Sequence, residues 1–61
     1  MIFRVNYEAM LDYLIRENEC KEPEGGTAYD KVMQLVIDLD IPEWRYQELE
    51  DLFVEIDSMG V

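Results

Sequence analysis

Thr27-Ala28-Tyr29-Asp30-Lys31-Val32-Met33-Gln34-Leu35-Val36-Ile37-Asp38-Leu39, followed by Asp40-Ile41-Pro42-Glu43, is the stretch that decides the fold. Thr27 with Asp30 approximates a capping box, so a helix starts here. Ala28, Val32, Leu35, Val36 and Leu39 recur at helical spacing and form its main face. Tyr29, Met33 and Ile37 widen that face, leaving Asp30, Lys31, Gln34 and Asp38 as the clearly polar positions. A helix this apolar is expected either at the centre of the fold or at an interface. The next four residues then start another helix, because a proline is favoured in a first turn, where its missing N–H has no intrahelical partner to lose.

Upstream, Lys21-Glu22-Pro23-Glu24-Gly25-Gly26 is a break of connector length. Before it, a first helix is expected from Tyr7 to Cys20, with Asn6 as N-cap and Glu8 in the first turn. Tyr7, Met10, Leu11, Leu14 and Asn18 form one face, with Ile15 beside it, and Asp12 and Arg16 form an i, i+4 pair. Ile2 to Val5 fit a short extended arm or a frayed first turn. Downstream, Arg45, Leu49, Leu52, Phe53, Ile56 and Met59 share a face of the third helix, with Tyr46 at its edge and Gly60 as its stop. The fold expected is all-α: a compact three-helix bundle with a short N-terminal arm, forming a single small acidic helical domain over residues 1–61.

Charge bounds the function. Fifteen Asp and Glu face five Lys and Arg with no His, a formal net charge of -10, in a chain that is still 49% hydrophobic. A chain with few apolar residues and this charge would stay disordered; here the apolar content supports a core, and the carboxylates are displayed on its surface. Such a surface repels nucleic acid and anionic membrane and attracts cationic protein. No apolar run approaches the roughly 20 residues of a membrane span, and Asn6 and Glu8 interrupt any signal-like start. A soluble, cytoplasmic protein is expected. Cys20 is the single cysteine. With no partner thiol in the chain and no histidine, it suits a reducing compartment, and no metal site or cofactor is expected.

The third helix carries the sharpest charge pattern. Glu43, Glu50 and Asp57 recur every seven residues as one acidic stripe, and Glu48, Asp51 and Glu55 make a second beside Trp44. Arg45 is the one base among these six acids. Acids near a helix C-terminus oppose the macrodipole, so folding alone does not call for them. The expected partner-binding residues are therefore Glu43, Trp44, Glu48, Glu50, Asp51, Glu55 and Asp57. Trp44 folded over the bundle end is the competing structural reading. A second candidate surface, Tyr29, Met33 and Ile37, would form a homodimer contact or pack between the other two helices.

Catalysis has no support in the sequence. Ser58 and Thr27 lack a histidine to activate them, and acids surround Cys20 and Lys21. Gly25-Gly26 lacks the Lys-Ser or Lys-Thr of a phosphate loop. Asp57-Ser58-Met59 resembles the Asp-Ser-Leu attachment site of acyl carrier proteins, but over three residues. In that family a long recognition helix follows the serine, and here little chain follows it. A helix-turn-helix reading would present acids to phosphates. The expectation is a non-enzymatic acidic module that occupies a basic, nucleic-acid-binding surface of a partner protein and inhibits it. By size and charge it is similar to the acidic inhibitors of phages and mobile elements, antirestriction and anti-CRISPR proteins among them. The alternative is a homodimeric structural or regulatory module using helix two.

Overall fold

The computed structural model describes residues 2–57. In chain order these form β1 (Ile2–Val5), α1 (Tyr7–Asn18), α2 (Ala28–Asp38), α3 (Glu43–Phe53) and β2 (Val54–Asp57). The protein is a small three-helix bundle, and β1 and β2 close it as an antiparallel two-stranded ribbon.

The helices begin where local chemistry provides for their unpaired N–H groups. Asn6 accepts a 3.0 Å hydrogen bond from the Ala9 amide and caps α1. At α2 the capping box is complete: the Asp30 amide donates to Thr27 at 3.3 Å and the Thr27 amide to Asp30 at 3.2 Å. Pro42 stands at the N-cap of α3, just ahead of the first turn, and its carbonyl accepts from the Tyr46 amide at 3.0 Å. Helix α1 ends two residues before the expected Cys20, because Glu19 turns into the left-handed region (φ 50°) and its amide closes onto the Ile15 carbonyl.

The core consists of Met10, Leu11 and Leu14 from α1, Val32 and Leu35 from α2, and Leu49 from α3. Burying each such side chain contributes about 2 kcal/mol. Helix α1 is the central element: it packs against both α2 and α3, which approach each other far less closely. Of the two places expected for α2, the centre of the fold is the one it does not take. Its wide apolar face is not sandwiched, and Ile37 at its outer edge stays 72% exposed.

The expected third helix is also shorter than its apolar spacing implied. It stops at Phe53, and Val54-Glu55-Ile56-Asp57 run as a strand in register with β1: Val5 opposite Val54, Arg4 opposite Glu55, Phe3 opposite Ile56 and Ile2 opposite Asp57. The reason lies in the residues. Apolar and acidic side chains alternate here, two of them β-branched, which fits the two-residue period of a strand. A helix would have carried both acids into its negative end. The expected arm, Ile2 to Val5, supplies the pairing partner. The proposed stop at Gly60 and the apolar position Met59 lie outside the described residues.

Candidate protein-binding surface

The outer face of α3 is built from the residues that its buried side leaves over. Leu49 faces the core, with Tyr46 and Phe53 partly buried on either side of it. At 100° per residue, Trp44 and Asp51 then fall opposite the buried side with Glu48 next to Trp44, while Leu52 lies on the flank, about 60° from Leu49. Trp44 is 65% exposed and Leu52 64%. Trp44 is therefore not folded over the bundle end. Leu52, expected on the buried face, instead continues the Trp44–Glu48 row at i+8 and gives the face a second apolar residue. The i+3 spacing from Leu49 had placed Leu52 on the buried face. Its flank position is closer to Leu49 than to Trp44, so spacing alone did not place it outside.

The two expected acidic stripes do not survive as rows. Glu43 is exposed at the start of α3. Glu50 turns inward and is half-buried, where its carboxylate accepts a long hydrogen bond from the Tyr7 hydroxyl at 3.3 Å. Tyr46 in turn donates to Tyr7 at 3.4 Å. Burial first, and then the Tyr7 and Glu50 contacts, push the Tyr46 phenol well above its ordinary 10.0. Glu50 thus belongs to a seam that ties α1 to α3, rather than to an outward stripe. Asp57 belongs to β2, so its seven-residue spacing from Glu50 no longer places the two on one helix.

In the second set, Glu48 and Asp51 remain neighbours of Trp44 on α3, whereas Glu55 lies on β2. Glu48 pairs with Arg45 at 3.2 Å, and Arg45 also donates to the Tyr13 hydroxyl at 3.3 Å. The Glu48 bond, ahead of the Tyr13 bond, raises the Arg45 pKa above its ordinary value. Glu55 is exposed and accepts a 2.8 Å bond from the Asn6 side-chain amide. The acidic surface is therefore broader and less periodic than a helical stripe, spreading from α3 over the ribbon.

The candidate dimer residues divide in the same way. Tyr29 is 48% exposed, with its ring set edge-on against Tyr7 at 4.9 Å. Met33 packs against the core from its periphery. Ile37 projects from α2 into solvent. Cys20 is a free thiol, half-buried against the core. A depression of about 280 Å³ between α1 and α2 is lined by Glu8, Asp12, Glu22 and Lys31 among others. The Glu22–Lys31 pair at 2.8 Å already occupies its polar side. No described helix is long and apolar enough to cross a membrane. No protein-family model, curated protein or solved structure matches the chain.

Proposed function

We propose that the protein is a small acidic, non-enzymatic binding module of the cytoplasm that occupies a basic, nucleic-acid-binding surface of a partner protein and inhibits it, in the manner of phage and mobile-element inhibitors that mimic DNA. The observation that carries this reading is Trp44, 65% exposed beside Glu48 and Asp51 in a chain of net charge -10. A large apolar ring left in water costs solubility, and its placement among acids matches what a cationic groove with an apolar floor accepts. Aromatic anchors ringed by polar residues are the usual centres of binding energy. Leu52 extends the apolar strip, and Glu43 and Glu55 extend the acidic surround.

The test is capture of partners from a host lysate at low and moderate salt, followed by competition with nucleic acid. Wild-type protein is expected to capture a basic protein and lose it to added duplex or single-stranded nucleic acid. The variant Trp44→Ala/Glu48→Gln/Asp51→Asn, altered on α3 alone, is expected to capture far less. Equal capture by this variant would remove α3 from the mechanism.

Ile37 favours a second reading, because it is the most exposed large apolar side chain on α2. A homodimer through Tyr29, Met33 and Ile37 would cover it. Sedimentation across a wide concentration range decides this, and a persistent monomer would eliminate it.

A further inference from the structure

The ribbon that closes the bundle has two strands, so among the described residues each strand keeps one unpaired edge. The parity of β2 is set where it leaves α3: the Asn6 amide donates to the Phe53 carbonyl at 2.9 Å. In an antiparallel ladder the peptide groups of alternate residues point to opposite sides. Phe53, Glu55 and Asp57 therefore turn their peptide groups toward β1, while Val54 and Ile56 lie at the positions whose peptide groups point to the free edge. An edge of this kind is a template for another strand. A two-stranded ribbon is also marginal alone and gains from a third.

Charge selects the occupant. Val5 and Val54 are paired, so with Phe3 they share one face; that face is apolar and still open, with Phe3 65% and Val54 43% exposed. Arg4 and Glu55 share the other face, which is charged. The outer edge of β1 runs beside a cation, Arg4, whereas β2 contributes Glu55. A second β2 is a poor occupant of the β2 edge, and a second β1 brings the single cation Arg4, so pairing with another copy is one outcome of the test. Antiparallel pairing of β2 with itself about Glu55 sets one Glu55 against the other, and like charges directly opposite destabilise a sheet.

We infer that the free edge of β2 accepts an extended segment of the basic partner as a third strand, one in which apolar residues alternate with Lys or Arg. Its apolar residues would cover Val54 and extend the Phe3 face, and its cations would lie across from Glu55. This inference rests on the basic-partner reading and specifies how that partner is held. Main-chain bonds to an edge provide affinity without a deep pocket, and the side-chain alternation provides specificity.

The probe is a labelled peptide of alternating valine and arginine, compared with a peptide of the same composition whose valines and arginines form two blocks. The full chain is expected to bind the alternating peptide about tenfold more tightly, because both peptides offer the same charge but one alone matches the strand period. Binding is expected to slow exchange of the Ile56 amide. Ile56→Pro removes an outward donor without removing a β1–β2 bond; with helicity retained, it should weaken the alternating peptide about tenfold. N-methylation of alternate amides in the peptide should do the same to the unaltered protein. Equal affinity for both peptides, with perturbation confined to α3, would end the edge proposal and leave the acidic-face reading in place. Failure to bind either peptide would also end it, while capture by wild type against the α3 variant would still decide the acidic-face reading. Self-association of the chain alone through Ile56, seen as a dimer with that amide protected, would replace the basic segment with a second copy.

Discussion

Tyr46 and Glu50 show how single residues changed meaning between sequence and structure. Glu50 read as one acid in a seven-residue repeat; its half-buried position beside Tyr7 makes it part of the seam instead. That contact joins residues 43 positions apart, which no local pattern encodes. Asn6, Thr27 and Asp30 were legible, because capping is a matter between near neighbours. Tyr46 yields a pH prediction. Its phenol is held above the ordinary 10.0, so the folded state favours the protonated form. The resulting stabilisation is fully present below the unfolded value and is lost as pH rises through 10 toward the higher folded value. Urea unfolding at about pH 8 and about pH 11 should show a larger alkaline loss for wild type than for Tyr46→Phe; equal losses would place the phenol outside the folding equilibrium. The turn before α2 gives a second residue-level test. Gly26 has φ +75°, and a Cβ there would lie 2.8 Å from Asp30, the capping-box carboxylate. Gly25, at φ +77°, has open space around its Cβ position. Gly25→Ala should cost about 1–2 kcal/mol from the left-handed backbone alone. Gly26→Ala should cost more, because it also displaces the cap; equal melting points for the two variants would show that the capping box yields without cost.

At the scale of elements, the three helices and their order were readable from apolar spacing, whereas Ile2 to Val5 were too short to separate an extended arm from a frayed first turn. The end of α3 was not readable, because Leu52, Phe53 and Ile56 satisfy a helical period while Val54 and Ile56 satisfy a strand period. Only a partner strand decides between them, and β1 lies at the far end of the chain. The choice of α1 rather than α2 as the central helix was hidden for a related reason: apolar breadth measures what a helix offers, not what packs against it. Of the three helices, α3 is the most weakly tied to the core, since Leu49 is its one fully buried residue among those described. Leu49→Ala should cost about 2–5 kcal/mol, comparable to the whole stability of a domain this small. Thermal melting followed by circular dichroism should show loss of a cooperative transition; a melting point within a few degrees of wild type would mean that Tyr46 and Phe53 hold α3 without it. Asn6 joins two elements, accepting from the Ala9 amide in α1 and donating to Glu55 in β2. Asn6→Asp keeps the cap but loses the donor and sets a carboxylate against Glu55, whereas Asn6→Ala loses both bonds. Helix α1 should therefore retain its amide protection in Asn6→Asp while the Arg4 and Glu55 amides exchange faster; in Asn6→Ala both regions should loosen, at a cost of about 1 kcal/mol or more. Unchanged ribbon exchange in Asn6→Asp would show that the Asn6–Glu55 bond contributes nothing to pairing.

For the whole molecule, the dominant quantity is net charge against size. The radius of gyration is 12.4 Å, and the screening length is about 10 Å in 0.1 M salt and about 3 Å in 1 M. Unscreened, every carboxylate therefore acts on most of the others and on any approaching surface. The ion pairs Asp12–Arg16, Glu22–Lys31 and Glu48–Arg45 engage three of the five bases, yet the formal charge of -10 remains. The first pair is highly exposed and contributes little. This field works on association more than on the bound state, because long-range attraction guides encounter whereas short-range packing retains the complex. The two classes of residue on α3 should consequently separate in kinetics. Neutralising Glu43 and Asp51, neither of which makes an ion pair among the described residues, as Glu43→Gln/Asp51→Asn should lower the on-rate for the captured basic partner and flatten its dependence on salt. Glu48→Gln should do less, because Arg45 already offsets that carboxylate. Trp44→Ala should leave the on-rate and its salt slope near wild type and raise the off-rate, by at least about thirtyfold if the ring is a hot spot contributing 2 kcal/mol or more. Surface-binding kinetics over a salt series measure all three quantities. A Trp44→Ala complex that dissociates no faster than wild type would show that the ring stays in water when the partner binds, and would move the point of attachment from α3 to the ribbon or to Ile37.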